Sequence, residues 1–140
     1  MMKRTANAVW NGSLKEGEGK ITTQSKVLNN SKYCFNSRFG DGKSTNPDEL
    51  LASAHAGCFA MALSLILGEA GFTPDSLDVT STVSMDADKL ELIGSHLMLK
   101  AKIPNIGQSK FEECANAAKT NCPVSKALSL KITLDMELEK

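Results

Sequence analysis

Hydrophobic spacing along the chain changes period several times, and each change predicts an element. The first forty residues carry short alternating runs. "TANAVW" is followed by the turn-rich "NGSLKEGEGK", then by "KITTQSKVL", which "NNS" interrupts, and then by "KYCFNSRF". Short alternating runs separated by Gly, Asn and Ser predict three strands in an antiparallel meander, with "KYCFNSRF" as the third. Gly40 and Gly42 mark a loop. Asn46 then suits a helix N-cap, Pro47 suits the first helical position, and Asp48 and Glu49 suit the positive end of the helix. The helix runs to about Ala70, with Gly71 as the residue after the cap and Pro74 closing off continuation. That is about 24 residues, or roughly 36 Å at 1.5 Å per residue.

From Leu50 onward this helix has almost no polar stripe: "ASAHAGCFAMALSLIL" is small or apolar on every side. A helix apolar all round is buried all round. In a small domain it must be central, covered by sheet, by other helices or by a second subunit. Beyond it, Leu77, Val79, Ser81, Val83 and Met85 alternate, as do Leu97, Leu99, Ala101 and Ile103. These are two half-buried strands, joined through "ADKLELIG". Phe111, Cys114, Ala115 and Ala118 recur at helical spacing. "CPVSKAL" starts a short helix with Pro123 first, and Ile132, Leu134, Met136 and Leu138 line one face of a last strand. The order predicts an α+β fold with antiparallel sheets packed on long helices. At 140 residues, with no repeat, low-complexity segment or linker, it reads as one domain over 1–140.

Charge and composition narrow the function. Sixteen basic side chains balance sixteen acidic ones, so the basic excess of a nucleic-acid module is absent. No uninterrupted apolar run approaches ~20 residues, so no membrane span is expected. The start "MMKRTANAVWNG" lacks the apolar core of a secretory signal, which makes a cytoplasmic, reducing compartment the expectation. There the four cysteines, Cys34, Cys58, Cys114 and Cys122, are not expected to form a structural disulfide framework. They include no CxxC pair, and His55 and His96 add no zinc-binding spacing, so no metal is expected.

Thiols then become the chemistry to weigh. Cys58 sits about 12 residues into the long helix, beyond reach of its dipole, and apolar burial raises a thiol's pKa. A reactive Cys58 therefore demands a cation from outside the helix. His55, three positions back, and Arg38, Lys43 and Arg4 are the candidates. Arg38, set between aromatic residues in "CFNSRF", is an odd place for an idle surface arginine. The alternative is that Cys58 only packs, as buried cysteines often do. Cys122, before Pro123 at a helix start, meets backbone N–H groups that favour a thiolate. That suits a resolving cysteine; the alternative is a small buried cap. Cys114 reads as core. Cys34, in the third strand between Tyr33 and Phe35, reads as packing.

In combination, "YCFNSRF", "KSTNPDELLASAHAGCFAMALSLILGEAGFTP" and "NCPVSKALSLKITLDMELEK" resemble the OsmC/Ohr superfamily, in its OsmC branch, over nearly the whole chain. The resemblance implies an intertwined homodimer with long central helices packed back to back and two active sites at the interface. It implies a thiol peroxidase for organic hydroperoxides, less efficient with hydrogen peroxide. Cys58 matches the peroxidatic cysteine, Cys122 the resolving one, Arg38 the family's arginine and Glu49 its glutamate, with Asp48 adjacent. It implies no metal or prosthetic group, and an external dithiol, notably a protein-borne lipoyl group, as reductant. Cys34 has no family role. Phe59 and Met61, beside Cys58, would give a lipid-like or aromatic peroxide an apolar contact. Glu49 lies nine residues before Cys58, so roughly 13 Å along the helix and on its opposite side. We therefore expect Glu49 to pair with Arg38 and the pair to complete a site across the dimer interface. Two other readings of the same cysteines are a redox sensor switched by a Cys58–Cys122 disulfide, and a Cys58–His55 acyl hydrolase. The hydrolase needs a carboxylate or amide to orient His55 and an oxyanion hole that a mid-helix nucleophile is poorly placed to have.

Overall fold

A computed structural model describes every residue from Met1 to Lys140. The chain divides into two compact units, Met1–Leu50 and Leu51–Lys140. In the first, β1 (Ala6–Asn11), β2 (Glu18–Thr23) and β3 (Ser31–Tyr33) form an antiparallel meander in that order. Trp10 and Tyr33 meet across β2 at 5.4 Å between ring centroids. Gly19 lies between them because any Cβ there would strike both rings.

The predicted third strand is only three residues long. "FNSRF" is a short helix, α1 (Phe35–Phe39). Cys34 is its N-cap, not a strand residue. The Cys34 N–H donates to Ser37 Oγ at 2.9 Å, and the Ser37 hydroxyl donates to the Cys34 carbonyl at 2.7 Å. The Cys34 sulfur accepts from the Ser37 N–H, so Cys34 and Ser37 make a capping box with sulfur in place of the usual hydroxyl. Helical spacing stacks Phe35 on Phe39 at 4.7 Å, where the alternation of aromatics had suggested a strand.

The long helix α2 (Pro47–Glu69) begins and ends as its sequence dictates. Asn46 Oδ1 accepts from the Glu49 N–H at 2.8 Å, and Asn46 Nδ2 donates to the Ser37 carbonyl at 2.9 Å, which ties the start of α2 to α1. At the far end Gly71 has φ +91°, a conformation open to glycine. The Phe72 N–H donates to the Leu67 carbonyl and the Gly71 N–H to that of Gly68, closing a Schellman motif.

In Leu51–Lys140 the sheet order is β4 (Ser76–Asp86), β5 (Glu91–Lys102), β6 (Lys131–Glu139). β5 is longer than expected, beginning inside "ADKLELIG" after a turn. β4 and β5 are antiparallel, but β5 and β6 are parallel. The predicted all-antiparallel sheet is thus corrected. α3 (Gln108–Asn121) and α4 (Pro123–Ala127) return the chain to the starting end of β5, and such a crossover delivers a parallel strand. Register aligns Leu77, Ala101 and Leu138, then Val79, Leu99 and Met136, then Ser81, Leu97 and Leu134 on one face. Against it pack Phe111, Cys114, Ala115 and Ala118 of α3, and Phe59, Leu63 and Leu67 of α2.

Within this chain α2 buries one stripe only: His55, Phe59, Leu63 and Leu67, each four residues apart. Met61 and Leu65 are 77% and 64% exposed. The helix expected to be covered all round is therefore covered on one side, because only one sheet and its helices meet it here. By length and composition α2 would also qualify to cross a bilayer, where the sequence suggested no such segment. Its polar anchor to the sheet, through His55, belongs to the folded core described next.

Candidate functional site

The core of Leu51–Lys140 brings together two sequence-predicted residues, Cys58 of α2 and Cys122 at the α3–α4 junction. The two thiols are near enough to shift each other's proton affinity, and all four cysteines are reduced. Cys122 ends α3 and caps α4, a position fixed by Pro123, which suits the first helical residue and lacks an N–H of its own. Cys122 is fully buried and Cys58 half-buried.

The two thiols are pushed in opposite directions. Burial raises Cys58, as do the side chain and charge of Cys122, and the Val124 N–H only partly offsets this. Burial also raises Cys122, but donors outweigh it: the Cys58 thiol, the Ser125 N–H, the Ser125 hydroxyl and the Val124 N–H. The net direction for Cys122 is down. The two shifts thus favour a thiolate at Cys122 over one at Cys58.

His55 is fully buried and bonded at both ring nitrogens. Nδ1 lies 2.6 Å from Ser95 Oγ, and Nε2 lies 2.8 Å from Ser125 Oγ. Ser95 Oγ in turn lies 3.0 Å from Ser81 Oγ. Burial lowers the His55 pKa, so the ring is neutral and is not the cation that Cys58 demands. Its partners are serine hydroxyls, not the carboxylate or amide that the hydrolase reading requires. Phe59 is wholly enclosed in the core of this chain. Met61 lies on the open face of α2.

The other two predicted site residues lie in Met1–Leu50. Arg38, in the last turn of α1, pairs with Asp48 (Nη2 to Oδ1, 3.3 Å) and lies over the Phe39 ring at 5.5 Å. The carboxylate that the structure sets against Arg38 is thus Asp48, next to the expected Glu49. Glu49 accepts from Thr45 Oγ1 at 2.8 Å. Arg38 also borders a cavity of about 250 Å³ walled by Trp10, Tyr33, Phe35, Phe39, Leu14, Pro47 and Cys34. Donors lower the Cys34 pKa, led by the Ser37 N–H, then the Ser37 and Ser44 hydroxyls.

Sequence reasoning preferred Glu49 to the adjacent Asp48 as the arginine's partner, and missed Ser125 as a neighbour of Cys122. Ser125 stands three residues after Cys122, at a helix start where a side chain turns back toward the cap. That spacing was the available signal.

Three comparisons place the chain. An α+β fold with a cysteine in the middle of a long apolar helix, facing a second at a Cys-Pro helix start, defines the class, and the chain belongs to the OsmC-like protein family, whose profile matches residues 40–137. It is 46% identical over 138 residues to the protein named Peroxiredoxin OsmC of Escherichia coli strain K12, covering 97% of this chain and 96% of that one. It is 31% identical over 124 residues to Organic hydroperoxide resistance protein OhrB of Bacillus subtilis strain 168, with 86% and 89% covered. The crystal structure of OhrB of Bacillus subtilis superposes with a TM-score of 0.65 at 26% identity, over 96% of this chain and 98% of that one. An OsmC-like protein from Mycoplasma pneumoniae shares the fold at a TM-score of 0.73 and 19% identity, over 99% of each chain.

Proposed function

We propose that this protein is a cysteine-based peroxidase that reduces organic hydroperoxides, and hydrogen peroxide less well, to alcohols or water. The observation that carries the reading is the meeting of Cys58 and Cys122, supplied by separate elements and near enough to shift each other's proton affinity. The names of the E. coli and B. subtilis relatives agree with it.

Cys58, as thiolate, attacks the distal peroxide oxygen. The O–O bond breaks, RO⁻ leaves and takes a proton, and Cys58 becomes sulfenic acid. The Cys122 thiolate then attacks the Cys58 sulfur. Hydroxide leaves and is protonated to water, and the Cys58–Cys122 disulfide remains. An external dithiol, of lipoyl type, restores both thiols. Since burial and Cys122 push the Cys58 pKa up, a cation must favour its thiolate for the first step. Arg38 is the proposed source, and it stays charged at every relevant pH. Asp48 orients its guanidinium, and Glu49 takes part at the same helix start. Met61 offers the substrate an apolar contact. The exposed face of α2, with Met61 and Leu65, supports a homodimer in which a second copy covers it and the sites form at the interface. The cycle uses no metal or prosthetic group.

The test is steady-state consumption of cumene hydroperoxide with a lipoyl dithiol. Wild type should turn over repeatedly. Cys58→Ser should fall to the uncatalysed rate, and full activity in that variant would sink the proposal. A single stoichiometric oxidation of wild type would favour the redox sensor.

A further inference from the structure

Cys122 touches a hydrogen-bonded line that runs through the core and that the peroxidase cycle, as written, does not use. The line is Ser81 Oγ, Ser95 Oγ, His55 Nδ1, His55 Nε2, Ser125 Oγ, and it ends at Ser125, whose N–H and hydroxyl act on the Cys122 thiol. Four elements supply it: β4, β5, α2 and α4. His55, Ser95 and Ser125 are buried, and Ser81 is half-buried.

Donor counting gives this line a direction. A neutral imidazole has one N–H and one acceptor nitrogen, and each hydroxyl has one hydrogen. A thiolate at Cys122 can only accept. The Ser125 hydroxyl must then donate to sulfur, so its oxygen accepts from His55 Nε2–H. That leaves Nδ1 as acceptor, filled by the Ser95 hydroxyl, whose oxygen accepts from Ser81. Every member is satisfied, and no buried side-chain polar atom lacks a partner. If Nδ1 carried the proton instead, the Ser125 hydroxyl would be drawn to Nε2 and away from the sulfur.

We propose that His55 is a positioning residue for the resolving thiol: held as the Nε2–H tautomer by Ser95 and Ser81, it turns the Ser125 hydroxyl onto Cys122 Sγ. The inference rests on the peroxidase reading for its place in the cycle, and deepens it. Its effect falls on two steps that need negative charge on Cys122. In resolution, the Cys122 thiolate displaces hydroxide from the Cys58 sulfenic acid. In regeneration, a dithiol thiolate attacks Cys58 Sγ, a new S–S bond forms to Cys58, and the old S–S electron pair departs on Cys122. The second sulfur of the dithiol then displaces Cys58 as thiolate and closes the cyclic disulfide. A better-stabilised Cys122 thiolate leaves faster. The titratable groups facing Cys122 are Cys58 directly and His55 through Ser125. The Val124 and Ser125 N–H groups face it from α4.

Two measurements test this without any peroxide. One is the titration of Cys122, followed as the difference in thiolate absorbance between Cys58→Ser and the double variant Cys58→Ser/Cys122→Ser, which removes the signals of Cys34 and Cys114. The other is the rate at which dithiothreitol opens the Cys58–Cys122 disulfide preformed with diamide. Ser125→Ala and His55→Leu should each move the titration upward and slow opening by about threefold to tenfold. Combined, they should slow it no further than either alone. His55→Gln keeps an N–H near the Nε2 position and should recover most of the rate. Should His55→Leu fail to fold, Ser95→Ala leaves the ring in place and frees its tautomer, and a smaller change in the same direction is expected. Wild-type titration and opening rate in His55→Leu or Ser95→Ala, with Ser125→Ala altered, would overturn the proposal. So would slowed opening with an unmoved titration, which marks distortion only. A wild-type protein that consumes no cumene hydroperoxide would refute the peroxidase reading and leave these two measurements standing.

Discussion

Two stretches, "CFNS" and "CPVS", repeat one local design: Cys34 caps α1 and Cys122 caps α4, each with a serine three residues on. Both thiols have lowered pKa values, and both accept hydrogen bonds from the first turn of a five-residue helix. They differ in where the serine is committed. Ser37 closes on its own turn, receiving the Cys34 N–H and donating to the Cys34 carbonyl. Ser125 instead reaches out of its turn to His55. They differ also in company, since Cys122 faces a second thiol and Cys34 faces the Ser44 hydroxyl at 3.8 Å. Donors at a capped helix start thus lower the pKa of both thiols, and only Cys122 also faces a second thiol.

The sharpest break between the two is substitution. Cys122→Ser should abolish repeated turnover with a dithiol and leave a persistent Cys58 sulfenic acid, detectable by dimedone labelling and mass spectrometry. Cys34→Ser keeps an acceptor at the α1 cap and lies outside the thiol pair, so turnover should stay within about twofold. A Cys34→Ser variant as inactive as Cys122→Ser would erase the distinction.

A smaller effect separates the buried end of the Ser125 network from the local one at Ser37. Burial holds the folded His55 pKa below its ordinary value, near 6.5 in the unfolded chain. Above that pH both states are neutral there, and the group contributes no pH dependence. As pH falls through it, the unfolded chain gains a proton that the folded one refuses, so stability drops, by at most about 1.4 kcal/mol per pH unit. Urea midpoints at pH 7, 6 and 5 should therefore fall, and His55→Gln should flatten that fall. An unchanged slope in His55→Gln would assign the pH dependence to other groups.

Periodic elements were legible in the sequence. α2 with its Asn46 cap and Gly71 stop, the buried stripe of α3, and the alternating faces of β4, β5 and β6 all follow from spacing. Strand direction was not, because alternation is the same whether β6 runs parallel or antiparallel. Nor was α1, because Tyr33, Phe35 and Phe39 fit a strand until the Cys34–Ser37 box is seen. Composition alone described α2 as apolar on all sides, yet only contacts decide which sides are filled, and Phe59 went inward while Met61 stayed out. Cys58 and Cys122 stood out by type and position. The Ser81–Ser95–His55–Ser125 line did not, since partners fourteen, forty and seventy residues apart leave no local trace of their pairing.

The smallest expected effect lies at the local end of the comparison. Ser37→Ala removes the reciprocal half of the α1 capping box and should cost about 0.5–2 kcal/mol, the range for lost caps. It also removes a hydroxyl donor from Cys34 while keeping the Ser37 N–H, the largest influence on that thiol. Alkylation of Cys34 by iodoacetamide should therefore shift only slightly toward higher pH. In Ser125→Ala the corresponding loss reaches a buried sulfur, where water cannot replace the missing donor, so the Cys122 titration should move further. Equal shifts at the two cysteines would mean that the link to His55 adds nothing to the local turn, and that "CFNS" and "CPVS" are alike in chemistry as well as in form.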